Sequence, residues 1–130
     1  MNKLIVSALL AGLATATVPA FAEDYASGAI KTMDTAKGEV LTDAKGMSLY
    51  TFDKDAAGVS NCYGDCAVKW SPVTAAAGAK AADDFSLVTR KDGAQQWAFK
   101  GMPLYLWQGD KKPGDVHGDG MGGVWHLAKE

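Results

Sequence analysis

Excess positive charge is missing from this chain, and cysteine is scarce. The 130 residues carry 13 Lys and Arg against 15 Asp and Glu, a formal charge of −2. That balance offers no electrostatic footprint for nucleic acid or an anionic membrane. Cys62 and Cys66 are the only cysteines. Their C-x3-C spacing is not the C-x-x-C of thioredoxin-like redox sites, and no βαβ pattern surrounds them. Histidine is equally rare, at His117 and His126, and no Ser-His-Asp or Cys-His arrangement sits on rigid elements. The glycines at 118, 120, 122 and 123 lack the following Lys or helix of a phosphate-cradling loop. Asp110, Asp115 and Asp119 do not match the D-x-[DN]-x-[DN]-G calcium loop. The expectation is a protein that is not an enzyme and needs no resident cofactor.

What is present begins with a processing segment over residues 1–22. Lys3 supplies a positive n-region, Leu4 to Leu13 an apolar h-region, and Ala20-Phe21-Ala22 a small-x-small cleavage signal. The stretch is short for a bilayer span and runs straight into Glu23-Asp24. No cysteine follows it to carry a lipid. Cleavage implies a mature chain of residues 23–130 in the periplasm or secreted, without a membrane anchor. It forms one domain, large enough to bury roughly 60–70% of its unfolded surface. Export also places both cysteines in an oxidising compartment, where an intramolecular disulfide is the default, with an exchangeable redox pair or a metal site as the alternatives.

The chain repeats itself at an offset of 55 residues. Gly46-Met47-Ser48-Leu49-Tyr50-Thr51-Phe52-Asp53-Lys54-Asp55 returns as Gly101-Met102-Pro103-Leu104-Tyr105-Leu106-Trp107-Gln108-Gly109-Asp110. Lys45 falls on Lys100, Gly38 on Gly93, Gly58 on Pro113 and Trp70 on Trp125. Such a shared offset identifies a tandem duplication of one supersecondary unit. Repeat one covers about residues 29–73 and repeat two about 84–128.

Each copy reads as strands. Phe85 to Arg90 is an apolar, β-branched run, and Lys91-Asp92-Gly93 is a hairpin signal. Ala94 to Phe99 and Met102 to Trp107 complete a meander, and the first copy repeats the order. Residues 73–84 connect the repeats. In the third strand, Met47, Leu49 and Thr51 point one way, and Ser48, Tyr50 and Phe52 the other. Met102, Leu104 and Leu106 likewise oppose Pro103, Tyr105 and Trp107. One face is aliphatic and the other aromatic, so both want cover. The expected fold is mostly β: two antiparallel meanders of three to four strands, packed as a small sandwich or partly open barrel. A short helical turn is expected beside the cysteine pair.

Tyr50-x-Phe52-x-x-Asp55 and Tyr105-x-Trp107-x-x-Asp110 carry a Y-x-[FWY]-x-x-D pattern. With Cys62-x3-Cys66-x3-Trp70 after the first and Gly122-Gly123-Val124-Trp125-His126 after the second, the chain resembles a bacterial secreted-repeat family. Its members are often predicted lipoproteins, and their function is uncharacterised. The match spans nearly all of Ile30 to Leu127. The chain departs from the family in lacking a lipobox cysteine, and in reading Trp70-Ser71-Pro72 where members usually have Trp-Pro-Pro.

The motif residues have a structural and a ligand-binding reading. An Asp past a strand end accepts turn N–H groups or a tyrosyl O–H, and Tyr carries a polar tip at a core edge. The offset also lays Cys62 on His117 and Cys66 on Met121. Imidazole plus thioether, with His126 nearby, is a ligand set that suits copper. Against it stands a flexible loop with a solvated His and a gap-filling Met. Met47 and Met102 are further thioethers that strand packing explains equally well. The expected function is an exported binding or envelope-associated module with an envelope protein as partner. The alternatives are a periplasmic copper-binding or electron-transfer accessory using His117 and Met121, and an interaction protein recognised through exposed aromatics.

Overall fold

The computed structural model describes residues 21–130 of the chain. The expected leader, residues 1–22, lies outside the described residues except for its last two positions. Ten strands and one short helix follow. Strand β1 (Phe21–Tyr25) precedes the first repeat, which comprises β2 (Ile30–Thr35), β3 (Gly38–Asp43), β4 (Leu49–Phe52), α1 (Asp65–Lys69) and β5 (Trp70–Pro72). The second repeat comprises β6 (Phe85–Thr89), β7 (Gln95–Phe99), β8 (Met102–Pro103), β9 (Tyr105–Trp107) and β10 (Trp125–Leu127). All pairing is antiparallel, in three sheets ordered β1-β2-β3, β10-β4-β9-β5 and β6-β7-β8. The fold is mostly β without a closed barrel, with α1 beginning inside the cysteine loop, as the sequence leads one to expect.

The hairpins β2-β3 and β6-β7 turn at Gly38 and Gly93, whose φ angles of +95° and +90° an L side chain rarely adopts. The gapless offset of 55 holds at both ends of the repeat but slips in between. Ile30 faces Asp43, whereas its counterpart Phe85 faces Phe99, one residue beyond the offset. The second hairpin is one residue longer and the turn after it one residue shorter, so Leu49 and Leu104 return to register.

The third strand changes sheets partway. Ser48 bridges to Thr42, and Pro103 pairs with Ala98, before each strand crosses to the centre. Expected as one strand over Met102 to Trp107, the second copy divides into β8 and β9. Pro103 lacks the N–H that an uninterrupted ladder would use.

At the centre the repeats share one sheet. Tyr50 pairs with Tyr105, its own counterpart, so a pseudo-twofold axis passes through that pair. The closing strands are exchanged. Trp70 of repeat one pairs with Trp107 of repeat two, and Trp125 of repeat two pairs with Phe52 of repeat one. The sequence indicates two packed meanders; the structure joins them by backbone hydrogen bonds.

The alternating third strand separates two cores. On the aliphatic side Leu49, Leu104, Ile30, Leu41, Val73, Phe85, Trp97, Phe99 and Ala128 form one cluster. On the aromatic side Tyr50, Tyr105, Phe52, Trp70, Trp125, Val40, Leu127 and Cys62 form the other, with Trp107 packed against it. Leu49 and Leu104 are both fully buried. Truncating either to Ala should cost about 2–5 kcal/mol, the range for a buried Leu. Because each half is completed by a strand of the other, urea unfolding of both variants should stay a single transition, coincident by tryptophan fluorescence and far-UV circular dichroism.

Candidate functional site

The two copies of the motif clasp each other across the pseudo-twofold axis. Tyr50 donates its O–H to Asp110 Oδ2 at 2.7 Å, and Tyr105 donates to Asp55 Oδ2 at 2.7 Å. Each carboxylate uses its other oxygen to hold the loop that follows it. Asp55 Oδ1 accepts from Asn61 N at 2.7 Å, and Asp110 Oδ1 from His117 N at 2.9 Å. Burial, reinforced by the carboxylate acceptor, holds both tyrosyl protons far above the ordinary range. Burial also raises Asp55, outweighing the hydrogen bonds from Tyr105 and Asn61 and the charge of Arg90.

Behind the clasp stands a column of four rings. Trp70 and Trp125 stack at 3.8 Å between centroids and 1° between planes. Phe52 stacks on Trp125 at 4.1 Å, and Trp107 leans on Trp70 at 4.4 Å. Tyr50 meets Trp70 edge-on and Tyr105 meets Trp125 edge-on, each at 5.2 Å. Gly118 closes over the column: a Cβ there would lie 2.6 Å from Trp70 Cη2. Tyr50, Phe52 and Tyr105 are buried and Trp107 is half-buried, which withdraws the main support from recognition through exposed aromatics.

The loops after the motifs are where the copies diverge. In repeat one Cys62 and Cys66 form a disulfide, with Cys62 fully buried. In repeat two His117 stands with its side chain 64% exposed, its Nδ1 3.3 Å from Asp110 Oδ1 and 3.9 Å from Asp115 Oδ2. Ligand atoms of Asp110, Asp115 and His117 all lie within 4.8 Å of one another. Met121 sits on the turn Met121–Gly123, 38% exposed. His126 belongs elsewhere, its Nε2 2.8 Å from Asp53 Oδ2. The structure thus brings His117 together with two aspartates and pairs His126 with Asp53. Asp119 is a strut rather than part of this group, accepting from Leu127 N at 3.0 Å and pairing with Lys37.

Sequence reasoning missed two features. Asp115 shares a loop with His117 in the sequence, but nothing in the spacing marks it as a neighbour of the imidazole. Arg90, the last residue of an apolar run, is buried, with only 5% of its surface exposed. Its Nη1 donates to Gln96 Oε1 at 2.8 Å and Ser60 Oγ at 3.0 Å, and its Nη2 to Cys62 O at 2.8 Å. It bolts the second hairpin to the disulfide loop. Its counterpart in repeat one is Thr35, so the duplication carried no trace of the role.

Backbone hydrogen bonds from Lys111, then the side chain and backbone of Lys112, outweigh burial and hold Asp115 below its ordinary value of 3.8. For Asp119 burial is the largest influence and raises it, but Leu127 N–H and the lysines Lys37 and Lys129 together bring it below 3.8. A depressed carboxylate contributes stability above its unfolded value and loses it as pH falls through the folded one. Stability should therefore fall below about pH 4. Asp119→Asn and Asp115→Asn should each flatten that acid limb in urea titrations across the range. An unchanged limb in both variants would contradict the assignment.

A secreted-repeat family of unknown function matches the chain twice, over residues 31–74 and 86–129. No curated protein and no solved structure was found to match it. The two matched segments coincide with the two structural repeats, from the start of β2 and of β6 to just past β5 and β10. Both copies of the clasp lie inside them, and the protein is placed among secreted proteins. The chain belongs to this secreted-repeat family, which it matches in two successive segments.

Proposed function

We propose that this secreted protein is a non-enzymatic binding module that takes up a divalent transition-metal ion at the second-repeat loop, through His117, Asp110 and Asp115. The observation that carries the reading is the convergence of one exposed imidazole and two sheltered carboxylates within 4.8 Å. Metal bonds of about 2.0–2.2 Å place neighbouring ligand atoms roughly 3.3 Å apart in a tetrahedral site. His117 Nδ1 and Asp110 Oδ1 are 3.3 Å apart, and the Asp115 carboxylate approaches the same nitrogen at 3.9 Å. The duplication adds support. A fold shared by both copies does not require a histidine here, since in repeat one the N–H that meets the equivalent carboxylate belongs to Asn61.

Lone-pair accounting says how the ion enters. Asp115 Oδ2 already accepts from Lys111 N at 2.8 Å and Lys112 N at 3.2 Å. Its free capacity is on Oδ1, which the Lys112 ammonium holds at 3.1 Å. A metal ion therefore displaces Lys112, an exposed side chain that costs little to move. Imidazole with carboxylates is a borderline-to-hard set, favouring Cu²⁺ and Zn²⁺ over Cu⁺, with Cu²⁺ the tighter.

Isothermal titration of the folded protein with CuCl₂ or ZnCl₂ alone should give one ion per chain. His117→Ala should weaken binding by roughly tenfold or more, about 1.4 kcal/mol, while Lys112→Gln should tighten it by removing the competing cation. The combined His117→Ala and Met121→Ala protein decides whether the thioether contributes beyond the imidazole. Unchanged stoichiometry and affinity in that double variant would remove the metal site.

A further inference from the structure

The aromatic column is more than a close-packed interior. Four rings in van der Waals contact run from half-buried Trp107 through Trp70 and Trp125 to Phe52. Two tyrosines touch it edge-on, and each already points its O–H at a carboxylate 2.7 Å away. A buried phenol needs an acceptor for its O–H, and a carboxylate is an acceptor that can also take the proton itself. One end of the column underlies the exposed His117 loop, where Gly118 closes on both Trp70 and Trp107.

We propose that this column is a one-electron relay, which carries oxidising equivalents from the His117 surface into the interior and lodges them on Tyr50 and Tyr105. The oxidant class is a peroxyl-type radical, met by a secreted protein. It takes one electron from Trp107 or Trp70 and one proton from water and leaves as a hydroperoxide. Stacked indoles pass the resulting hole between them, because electronic coupling is greatest between rings in contact. The hole comes to rest on Tyr50 as its O–H bond breaks: the electron refills the indole and the proton moves to Asp110 Oδ2. A neutral phenoxyl radical and a neutral carboxyl result, so no charge is stranded in the core. The carboxyl proton then passes to solvent and replaces the one the hydroperoxide took from water. Tyr105 and Asp55 offer the same exchange in the other half. An external one-electron donor of the enediol class, such as ascorbate, restores the phenol with one electron and one proton. The net reaction is radical plus tyrosine giving hydroperoxide plus tyrosyl radical, then repair.

The relay shares Asp110 and the His117 loop with the proposed metal site, so its test uses no bound copper or zinc. A ruthenium polypyridyl complex is attached to His117 in a His126→Gln background, so that the label has one address, and is oxidised to Ru(III) by flash and quench. An indole radical should appear as Ru(III) decays, followed by a tyrosyl radical in electron paramagnetic resonance. Tyrosyl formation should be measurably slower in deuterated water, because the O–H proton travels with the electron. Trp70→Phe should lengthen the Ru(III) lifetime by about an order of magnitude. Trp107→Phe, at a half-buried position better able to tolerate change, should lengthen it too. Tyr50→Phe should leave the hole on indole and reduce the tyrosyl signal to that of Tyr105. Equal Ru(III) lifetimes in the parent, Trp70→Phe and Trp107→Phe proteins would overturn the proposal, as would the absence of any indole or phenoxyl radical in the parent. The parent measurement, its isotope effect and its radical identity stand even where a variant fails to fold.

Discussion

The antiparallel pairing of β4 with β9 is the constraint from which the rest follows. The third strand of each repeat is apolar on both faces, so it is satisfied only at the centre of a sheet with cover above and below. One repeat cannot supply both neighbours for its own third strand. By pairing Tyr50 with Tyr105 and exchanging the strands of Trp70 and Trp125, the two copies each complete the other. The exchange places the tryptophans back to back and carries each tyrosine to the aspartate of the opposite copy. Clasp, column and loops are therefore consequences of a single seam.

Symmetry makes the departures informative. Where the copies agree, as at Leu49 and Leu104 or Trp70 and Trp125, the fold demands the residue. Where they differ, something else is permitted. Val40 lies in the aromatic core, whereas the position one past the strict offset in repeat two is Gln96, fully buried. A buried amide is tolerated only with partners, and Gln96 has them in Leu104 O and Arg90. Arg90 in turn needs the Cys62 carbonyl, held in place by the disulfide. Repeat one's loop is thus tied down by a covalent bridge and a buried cation. The loop of repeat two is held by Asp110, Asp115 and Asp119, leaving His117 facing solvent.

Much of the architecture was legible because it rests on patterns a sequence carries directly. The duplication was written in Tyr50-x-Phe52 and Tyr105-x-Trp107, the two cores in strict alternation along the third strand, and the hairpins in Gly38 and Gly93. What was not legible depends on who pairs with whom. Period-two alternation says that Tyr50 faces away from Leu49, but not that its hydroxyl crosses to Asp110. Offsets align Trp70 with Trp125 without revealing that their strands change partners. The one-residue slip between the hairpins is hidden because a longer hairpin and a shorter turn cancel. Grouping His117 with Met121 followed the repeat alignment, whereas the grouping with Asp115 follows a loop folding back on itself, which no periodicity records. Arg90 is the extreme case, a buried cation whose acceptors come from residues 60, 62 and 96.

Asp110 links the loop to the seam. One of its oxygens receives the Tyr50 hydroxyl in the core, while the other receives the His117 N–H at the surface. A cation at His117 would withdraw charge from this carboxylate and weaken its hold on the tyrosyl proton, while stabilising the folded chain in proportion to how tightly it is bound. Repeat one has no such coupling: its equivalent carboxylate, Asp55, faces a loop locked by the disulfide and lies within the field of Arg90. One half of a symmetric fold is consequently insulated from the surface chemistry that the other half exposes. The pseudo-twofold axis lets both share a single core.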